Sequence, residues 1–369
     1  MAATLTAIHA AWSPGEIRIA VMTDGRLSDY ALWRPGSPDG VGDIHRGRIS
    51  GIVPAMAGAF VTLDGAEGFL PDSDGAKGLT EGTILTVRVV RAGQGGKGPR
   101  LSARVEQGEG PVGLSRRGID PLRDLAARYP AAAVVVDDPA LAASLKANLG
   151  DRIVRVHEAF GDAIETEVEA LSGTEVLLDS GVRMSVHPTP ALVAIDVDGG
   201  GALMGRDGAA RRHRALNAAV LPEVARQIRL RNLSGAILVD LAGMKAKQRA
   251  SLGPAFAAAL ADDPARPRFL GFSGLGLAEI VRPRGRAPLH EMLVGPLAAG
   301  LAALRSITRA ARADPGRALE LRAAPAMVAA LQADTVGLSD LARVTGRRLN
   351  AHSDPSLAGD GWVIEESNG

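Results

Sequence analysis

The sequence predicts a mixed α/β protein of several subdomains, one of which is a small β-barrel. Short alternating segments separated by glycines run from about Gly42 to Val105, a spacing typical of a barrel of the oligonucleotide-binding kind. From residue 190 to 296 the pattern alternates strand, helix, strand and helix. A helix rich in alanine and leucine then leads into a small α+β tail, so more than one layer architecture is expected along the chain.

Composition limits the class of protein. The chain has 369 residues, of which 46% are hydrophobic, enough for two or more compact units. Lysine and arginine number 42 against 41 acidic residues, which excludes a generally basic protein but not local basic patches. The absence of cysteine excludes disulfides and thiolate metal sites. We see no signal-peptide pattern and no apolar stretch able to span a bilayer, so we expect a soluble, cytoplasmic protein without a membrane span.

Two local signals define elements outside the barrel. Residues 15–34 read as a β-hairpin with Asp24 and Gly25 at the turn. The run Asp137-Asp138-Pro139 is a helix start before "ALAASLKANL". Both lie outside the glycine-spaced segments.

Phenylalanines within the barrel segment are candidates for RNA contact. In "GAFVTLD" the alternation puts Ala59, Val61 and Leu63 on one face, so Phe60 falls on the polar face, and Phe69 follows shortly. An exposed aromatic ring on such a barrel stacks on bases, and nearby cations meet phosphates. The candidate cations are Lys97, Arg100, Arg46 and Arg48. On pattern alone, rings that fill the barrel or its joint with the next domain are an equally good interpretation.

The glycine-rich stretch "AGQGGKGP" also lies in the barrel segment. It lacks the following helix and the Walker spacing of a phosphate-binding loop. A hairpin tip is the better interpretation.

Two strands of the 190–296 region end in aspartate. "PALVAIDVDGGG" carries Asp196 and Asp198, and "SGAILVDLAGM" carries Asp240. A strand, a covering helix and another strand predict parallel neighbours, with Asp196 and Asp240 side by side at the carboxyl edge of the sheet. The helix between them has apolar residues on one face and contains a proline that could kink it. These positions are Leu216, Val220, Val224 and Ile228, with the proline at 222.

The paired aspartates suggest a metal site. An ionised carboxylate inside an apolar strand costs several kcal/mol unless a cation or hydrogen bonds offset the cost. Two carboxylates close together repel, and one takes up a proton unless a metal lies between them. Mg²⁺, which takes one or two carboxylates, suits this arrangement. The alternative is that Asp198 only starts the glycine turn and Asp240 caps a helix.

In their order along the chain, these motifs resemble the bacterial ribonuclease E/G family. "GDIHRGRISGIVPAMAGAFVTLDGAEGFLP" resembles the entry to the family's S1 domain, and "GKGPRLSARV" its exit. "PALVAIDVDGG" and "ALNAAVLPEVARQIRLRNLSGAILVDLAGM" resemble the segments with the catalytic aspartates, and "FSGLGLAEIVRPR" follows. "LARVTGRRLNAHSDPSLAGDGWVIEE" is similar to the terminal subdomain, so the resemblance covers nearly the whole chain.

The resemblance implies an architecture: an RNase H-like fold interrupted by an S1 barrel, then a DNase I-like catalytic subdomain and a small C-terminal α+β subdomain. The expected boundaries are 1–35 and 151–188 for the RNase H-like parts, 36–106 for S1, 107–150 for a reduced segment in place of the 5′ sensor, 189–296 for the catalytic subdomain and 297–369 for the last subdomain.

The resemblance also implies Mg²⁺-dependent endonucleolytic cleavage of single-stranded RNA, in RNA processing or decay, with the phosphate left on the 5′ side of the downstream product. By position, Asp196 and Asp240 are metal ligands, and Asp198 takes the place of an asparagine that orients the attacking water or the phosphate. Phe60, Phe69 and Lys97 match the RNA-gripping residues of S1. Arg100 and Arg282 complete the predicted RNA-binding set.

Four departures from the family pattern bear on activity. Asp198 adds a negative charge, Pro71 follows "GFL" in place of histidine, and Gly274 stands in "FSGLG" in place of arginine. The fourth is the basic run from Arg211 to Arg214, where the family is acidic. Cations at a helix start oppose the helix dipole, so this run either binds RNA phosphates or is a solvated surface without effect.

Two family features are expected to be absent. The segment after "GLSRR" runs through a short helix to the next strand, and no arginine followed by threonine occurs, so we expect no 5′-monophosphate pocket. Without thiols, His290 and Glu291 are too few for a zinc link, so any homo-oligomer is not joined by zinc. The alternatives to an active nuclease are an RNA-binding relative with weak or no cleavage and, less well supported, an unrelated metal-dependent phosphoesterase.

Overall fold

A computed structural model describes residues 5–178, 181–200, 209–314, 316–357 and 359–366. Contacts divide the chain into two compact units. Unit 1 combines Met1–Pro38, Asp124–Arg282 and Pro288–Gly369, and unit 2 combines Asp39–Arg123 and Pro283–Ala287. The prediction of a mixed α/β protein with an inserted barrel is confirmed at this level.

The strands, in chain order, are β1 Thr6–Ser13, β2 Glu16–Thr23, β3 Arg26–Trp33, β4 Ile44–Val53, β5 Gly58–Thr62, β6 Glu67–Pro71, β7 Ile84–Arg91, β8 Arg100–Ser102, β9 Gly113–Arg116, β10 Ala133–Val136, β11 Ile153–Arg155, β12 Glu175–Leu177, β13 Arg183–Pro188, β14 Val193–Asp198, β15 Gly235–Asp240, β16 Arg268–Phe272, β17 Ala278–Arg282, β18 Leu319–Ala323, β19 Asn350–Ser353 and β20 Trp362–Glu366. The α-helices are α1 Pro121–Arg128, α2 Pro139–Leu149, α3 Asp162–Ala170, α4 Ala209–Leu230, α5 Ala246–Arg249, α6 Gly253–Leu260, α7 Leu289–Met292, α8 Pro296–Ala313, α9 Pro325–Ala333 and α10 Thr335–Thr345.

Unit 2 is a closed five-stranded barrel. Its strands follow the order β5-β6-β8-β7-β4, pairing of β4 with β5 closes it, and β9 adds to β4. Its core is aliphatic because alternate side chains of each strand face inward. The predicted alternation in β5 is confirmed, since Ala59 and Val61 are fully buried and Phe60 is only half-buried. The barrel is the architecture expected of an oligonucleotide-binding domain.

The first sheet of unit 1 has the strand order β11-β10-β1-β2-β3, in which β1 runs parallel to β10 and antiparallel to β2. Asp24 and Gly25 both have positive φ between β2 and β3, which confirms the predicted hairpin turn. Asp138 caps α2, because its side chain accepts a hydrogen bond from Leu141 N at 2.8 Å, as the sequence predicted.

The second sheet of unit 1 has the order β12-β13-β14-β15-β17-β16. Strands β14 and β15 run parallel, whereas β12 with β13, β13 with β14, β15 with β17 and β16 with β17 pair antiparallel. Helices α4 and α6 bury one face of this sheet, and α4 packs through the predicted positions Leu216, Val220, Val224 and Ile228. Pro222 lies inside α4, which runs from Ala209 to Leu230 as one helix. The other face of the sheet carries the aspartates.

The end of the chain forms a third layer within unit 1. The sheet β19-β18-β20 packs with α8, α9 and α10 around a core that includes Leu301, Leu304, Leu321 and Met327. Across the described ranges, none of the helices combines the length and apolarity that crossing a membrane requires.

Candidate active site and RNA-binding surface

Asp196 and Asp240 face each other on neighbouring strands. The parallel register of β14 and β15 pairs Ala194 with Leu238 and Asp196 with Asp240. This confirms the predicted parallel pairing, which rested on a strand, a helix and a strand in succession. Asp240 is the last residue of β15 and Asp196 lies two residues before the end of β14, so the two carboxylates lie near the carboxyl ends of these strands.

The aspartates lie on the open face of the sheet and not in its core. Their strand neighbours Ile195, Val197 and Val239 are buried, whereas Asp196 and Asp240 are exposed. The expectation of a charge buried in an apolar strand is therefore wrong, because alternation along each strand turns the carboxylates to the opposite face. The high cost of burying a charge does not apply at this site.

The proximity of the carboxylates does affect ionisation. Partial desolvation, then the negative charge of Asp240, then that of Asp198, raise the pKa of Asp196 above its usual range. Like charges on adjacent carboxylates favour the protonated form of one of them. A cation bound between them would reverse this effect, so the charges favour cation binding at Asp196.

Asp198 behaves partly as the turn interpretation expects. Its Oδ1 accepts a hydrogen bond from Gly200 N at 3.0 Å. Asp198 also lies opposite Arg183 in the antiparallel register of β13 and β14, so one cation neighbours it on the open face. The helix-cap alternative for Asp240 is wrong, because the N-cap residue of α5 is Lys245.

Arg249 is a functional candidate that sequence reasoning missed. Its guanidinium donates to Asp240 Oδ1 at 2.6 Å through Nη1. The same group donates to three backbone carbonyls: Leu241 O at 2.6 Å, Met244 O at 3.0 Å and Gly276 O at 2.8 Å. Arg249 is only 9% exposed, whereas the Asp240 side chain is 50% exposed. A buried cation that donates from all three of its nitrogens therefore holds one oxygen of an accessible carboxylate.

The bond from Arg249 to Gly276 O also connects the site with the turn between β16 and β17. Gly274 lies in this turn, and a Cβ built on it would meet no atom within 4 Å. Packing around the first atom of a side chain therefore does not require glycine at this position.

The two predicted aromatic residues form a pair on the outer face of the barrel. Phe60 and Phe69 are cross-strand partners on β5 and β6, with ring centroids 5.8 Å apart in an edge-to-face arrangement. A side chain on Gly58 would come within 2.5 Å of the Phe69 ring, so this glycine leaves space for the ring. Neither ring lies in the barrel core.

Two arginines extend this row across the barrel. Arg100 on β8 is the register partner of Phe69, and Arg91 on β7 is the partner of Arg100. Burial, followed by the charges of Arg100 and Arg284, lowers the pKa of Arg91. A bound anion would offset the repulsion between these neighbouring positive charges. Arg91 was not identified from the sequence, because a register shift between Val89 and Arg91 changes the alternation.

The other predicted cations of the barrel are placed differently. Lys97 is exposed at the tip of the hairpin between β7 and β8, where Gln94 and Lys97 pair around two glycines of positive φ. The hairpin-tip interpretation of the glycine-rich stretch is therefore confirmed. Arg100 donates to Asp74 at 3.1 Å, and Arg46 and Arg48 donate to backbone carbonyls.

Arg282 does not belong to an RNA-binding surface. It is 4% exposed and forms a buried ion pair with Asp263 at 2.7 Å. It also donates to Asn232 Oδ1 and Leu233 O. All three nitrogens of its guanidinium donate to groups inside the protein, so the prediction that Arg282 contacts RNA is corrected.

Pro71 ends β6 at a buried position of the barrel.

The remaining departures lie on helical or irregular segments. The basic run from Arg211 to Arg214 occupies the start of α4, where Arg211 and Arg214 are exposed. Residues 201–208, which precede it, lie outside the described residues. The reduced segment after β9 leads through α1 directly to β10, and Arg117 donates to Asp43 at 2.7 Å.

The residues at the edge of β14 and β15 fit a magnesium ion. In the described part of the chain, no three acidic or histidine side chains cluster closely enough to enclose a metal. Mg²⁺ does not require such a cluster, because it commonly binds through one or two carboxylates and keeps several waters. Two exposed, opposed aspartates, one with a raised pKa, supply that donor set.

Comparison with known proteins finds a family match for part of the chain. Residues 133–285 match the model of the Ribonuclease E/G family. The chain is 32% identical over 141 residues to ribonuclease E of Nostoc sp., which covers 37% of this chain and 19% of that protein. It is 23% identical over 393 residues to ribonuclease G of Salmonella typhimurium, which covers 76% of this chain and 80% of that protein. A chloroplastic ribonuclease E/G-like protein of Arabidopsis thaliana is 32% identical over 135 residues, covering 36% of this chain and 14% of that protein. The match thus spans about a fifth or less of the first and third of these relatives.

Proposed function

Because this chain belongs to the ribonuclease E/G family, we propose that it is a Mg²⁺-dependent endoribonuclease that cleaves single-stranded RNA in RNA processing or decay. The observation that carries the proposal is the direct opposition of Asp196 and Asp240 on parallel strands, with both carboxylates on an open face. An aromatic and cationic row on the barrel supports RNA as the substrate.

We further propose the subdomain names that the resemblance implies. The closed barrel of unit 2 supports an S1 domain. The strand order β11-β10-β1-β2-β3 supports an RNase H-like part, and the sheet with the aspartates supports a DNase I-like part. Division of the chain at Pro38 and Arg123 supports insertion of the barrel into the first of these folds.

Asp196 and Asp240 are the residues that would hold Mg²⁺. When bound, the ion supplies Lewis-acid stabilisation of the charge that develops on the scissile phosphate. Asp196 binds best when ionised, so its raised pKa makes the site weaker at acidic pH. Asp198 lies two residues after Asp196 on the same face of β14. Its Oδ1 accepts a hydrogen bond from Gly200, and its other carboxylate oxygen orients polar groups of the substrate.

Arg249 positions the site without touching the substrate. Its bond to Asp240 Oδ1 fixes the carboxylate and leaves the other oxygen for a cation. Because the guanidinium is held by three carbonyls, the orientation of Asp240 does not depend on a flexible side chain. Preorganisation of this kind keeps the geometry of the site constant between substrates.

The second candidate function is RNA binding with weak or no cleavage. One observation favours it: Arg249 already neutralises Asp240, and Asp198 already accepts from Gly200. A single assay separates the two. Purified chain is incubated with a labelled single-stranded oligoribonucleotide in the presence of Mg²⁺ or of a chelator. Cleavage only with Mg²⁺ supports the nuclease, and binding without cleavage in either condition supports the alternative.

Phe60→Ala is expected to weaken RNA binding by about ten- to a hundredfold, because stacking on one base contributes about 1–3 kcal/mol. The ring lies outside the core, so the barrel should remain folded. Binding is measured by fluorescence anisotropy with a single-stranded oligoribonucleotide. Leu270→Ala, which removes an exposed apolar side chain that is 54% exposed in unit 1, is the control. An unchanged affinity in the folded Phe60 variant would show that the ring does not stack on RNA.

Cleavage is expected to be indifferent to the 5′ end of the RNA. Arg117, one of the cations of the reduced segment 107–150, is bonded to Asp43, and α1 leads directly to β10. A phosphate pocket needs several converging donors, which this segment does not supply. Paired oligonucleotides that carry a 5′-monophosphate or a 5′-hydroxyl should be cut at equal rates. A preference of tenfold or more, about 1.4 kcal/mol, for the monophosphate would contradict this expectation.

A further inference from the structure

A cavity of about 410 Å³ lies in the last layer of unit 1, away from the aspartates. Its walls are the C-terminal half of α8, the end of α10 and the strands β18 and β19. The volume falls in the range of small-molecule sites, about 300–1,000 Å³. Neither the family match, which ends at residue 285, nor the proposed cleavage uses this cavity.

The floor of the cavity is apolar. Leu319, Leu341 and Leu349 line it together with Ile307 and Val344. Leu341 and Ile307 belong to the buried core of this layer, and Leu319, Val344 and Leu349 pack against that core. An apolar floor of this size favours a ligand with a flat or hydrophobic body over a bare ion.

The rim of the cavity is basic. Arg312, Arg317, Arg347 and Arg348 line it, and Glu320 is its one acidic residue. Residues 297–369 contain eight arginines and eight acidic residues, so the charge of this segment is balanced and the arginines are concentrated at the cavity. Among the residues that the structure describes, Arg317 pairs with Glu366 at 2.7 Å, but no carboxylate lies within ion-pair distance of Arg347 or Arg348.

The helix ends explain part of this charge but not all of it. Arg347 and Arg348 follow Gly346, the C-cap of α10, and Arg312 lies in the last turn of α8. Each helix end carries about half a negative charge. Arg317 pairs with Glu366, and the negative charge of Asp137 acts on Arg312. Among the described residues, Arg347 and Arg348 are therefore the rim cations that an anion can reach without displacing a carboxylate.

We propose that this cavity binds a nucleotide, either free or as an unpaired nucleotide of an RNA chain. Arginine binds phosphate oxygens in a bidentate manner and also stacks on flat rings. The aliphatic floor packs against the base. Glu320, which already accepts from Asn350 and His352, can accept further hydrogen bonds from ribose hydroxyls or a base amino group. A bare anion would leave the floor unused, and an apolar molecule would leave the arginines unpaired.

Isothermal titration calorimetry of the full chain with ADP, adenosine and inorganic phosphate tests this proposal. Titration without divalent metal makes the result independent of cleavage. ADP is expected to bind at least tenfold more tightly than adenosine or phosphate alone. In the double variant Arg347→Gln/Arg348→Gln its affinity should fall at least tenfold, with an unchanged unfolding temperature because both residues are exposed. The control, Arg322→Gln, removes an arginine of the same layer that pairs with Asp354 and Glu365 outside the cavity, and it should bind ADP normally.

A single-stranded decaribonucleotide titrated into the same variants separates the two sources of the nucleotide. If the double variant loses both ADP and RNA affinity, the cavity accepts a nucleotide of RNA. If it loses only ADP affinity, the ligand is a free nucleotide. Equal affinity for ADP and phosphate, or affinities for ADP and RNA that ignore Arg347 and Arg348, would overturn the proposal.

Discussion

Replacement of Asp196 or Asp240 by asparagine is expected to reduce cleavage of single-stranded RNA by about a thousandfold or more while RNA affinity stays the same. Loss of a carboxylate ligand removes several kcal/mol of stabilisation of transition-state charge, and each 1.36 kcal/mol is tenfold in rate. Because the RNA-binding row lies on the barrel in the other compact unit, binding should persist.

The two variants can be compared with a matched control. Asp196 and Asp240 are exposed, so asparagine should leave the unfolding temperature nearly unchanged. Asp262→Asn alters an exposed aspartate after α6, far along the chain from either strand end, and should cleave at the wild-type rate. Full activity in both site variants would remove the basis for the assigned active site.

Arg249→Lys is expected to raise the Mg²⁺ concentration needed for half-maximal cleavage by about tenfold. Lysine keeps the charge, but its single ammonium cannot replace a planar fork that bonds Asp240 and three carbonyls at once. Asp240 then loses its fixed orientation, and its ability to hold a cation weakens. The readout is the Mg²⁺ dependence of the initial rate at saturating RNA.

A purely structural role of Arg249 would give a different result. A carbonyl that loses a buried donor costs about 1–3 kcal/mol, so the free energy of unfolding falls whether or not Asp240 is involved. A general loss of folded protein lowers the maximal rate but leaves the Mg²⁺ midpoint unchanged. Arg268→Lys, the same replacement at an exposed position of β16, controls for the substitution itself. A wild-type midpoint in a folded Arg249→Lys variant would show that Arg249 does not position Asp240.

The sequence predicts the strands and facing residues of the site better than it predicts which charged side chains are buried and paired. Period-two alternation identified the outward position of Phe60, and the strand-helix-strand order identified the pairing of Asp196 with Asp240. The same alternation contained the signal for Arg282, which shares its parity on β17 with the buried residues Ala278 and Ile280. The misassignment of Arg282 came from its charge, which suggested exposure although a buried partner, Asp263, was available.

Arg249 and the nucleotide cavity follow from tertiary structure, which no local pattern reports. Arg249 lies nine residues after Asp240, and its bonds depend on the return of a loop and on a turn 27 residues further along the chain. Arg312 and Arg317 come from the end of α8 and the segment after it, and Arg347 and Arg348 come from the end of α10, with β18 and α9 between the two helices. Sequence reasoning sees each of them as an ordinary arginine near a helix C-terminus.

Binding of a divalent cation by the two opposed aspartates is the central claim of this account. Electron paramagnetic resonance of Mn²⁺, a spectroscopic substitute for Mg²⁺, measures it without RNA or cleavage. We predict that the wild-type chain and the Asp262→Asn variant bind Mn²⁺ and reduce the signal of the free ion to the same extent. The Asp196→Asn and Asp240→Asn variants should reduce it less. Equal Mn²⁺ binding by the wild-type chain and both site variants would contradict the claim.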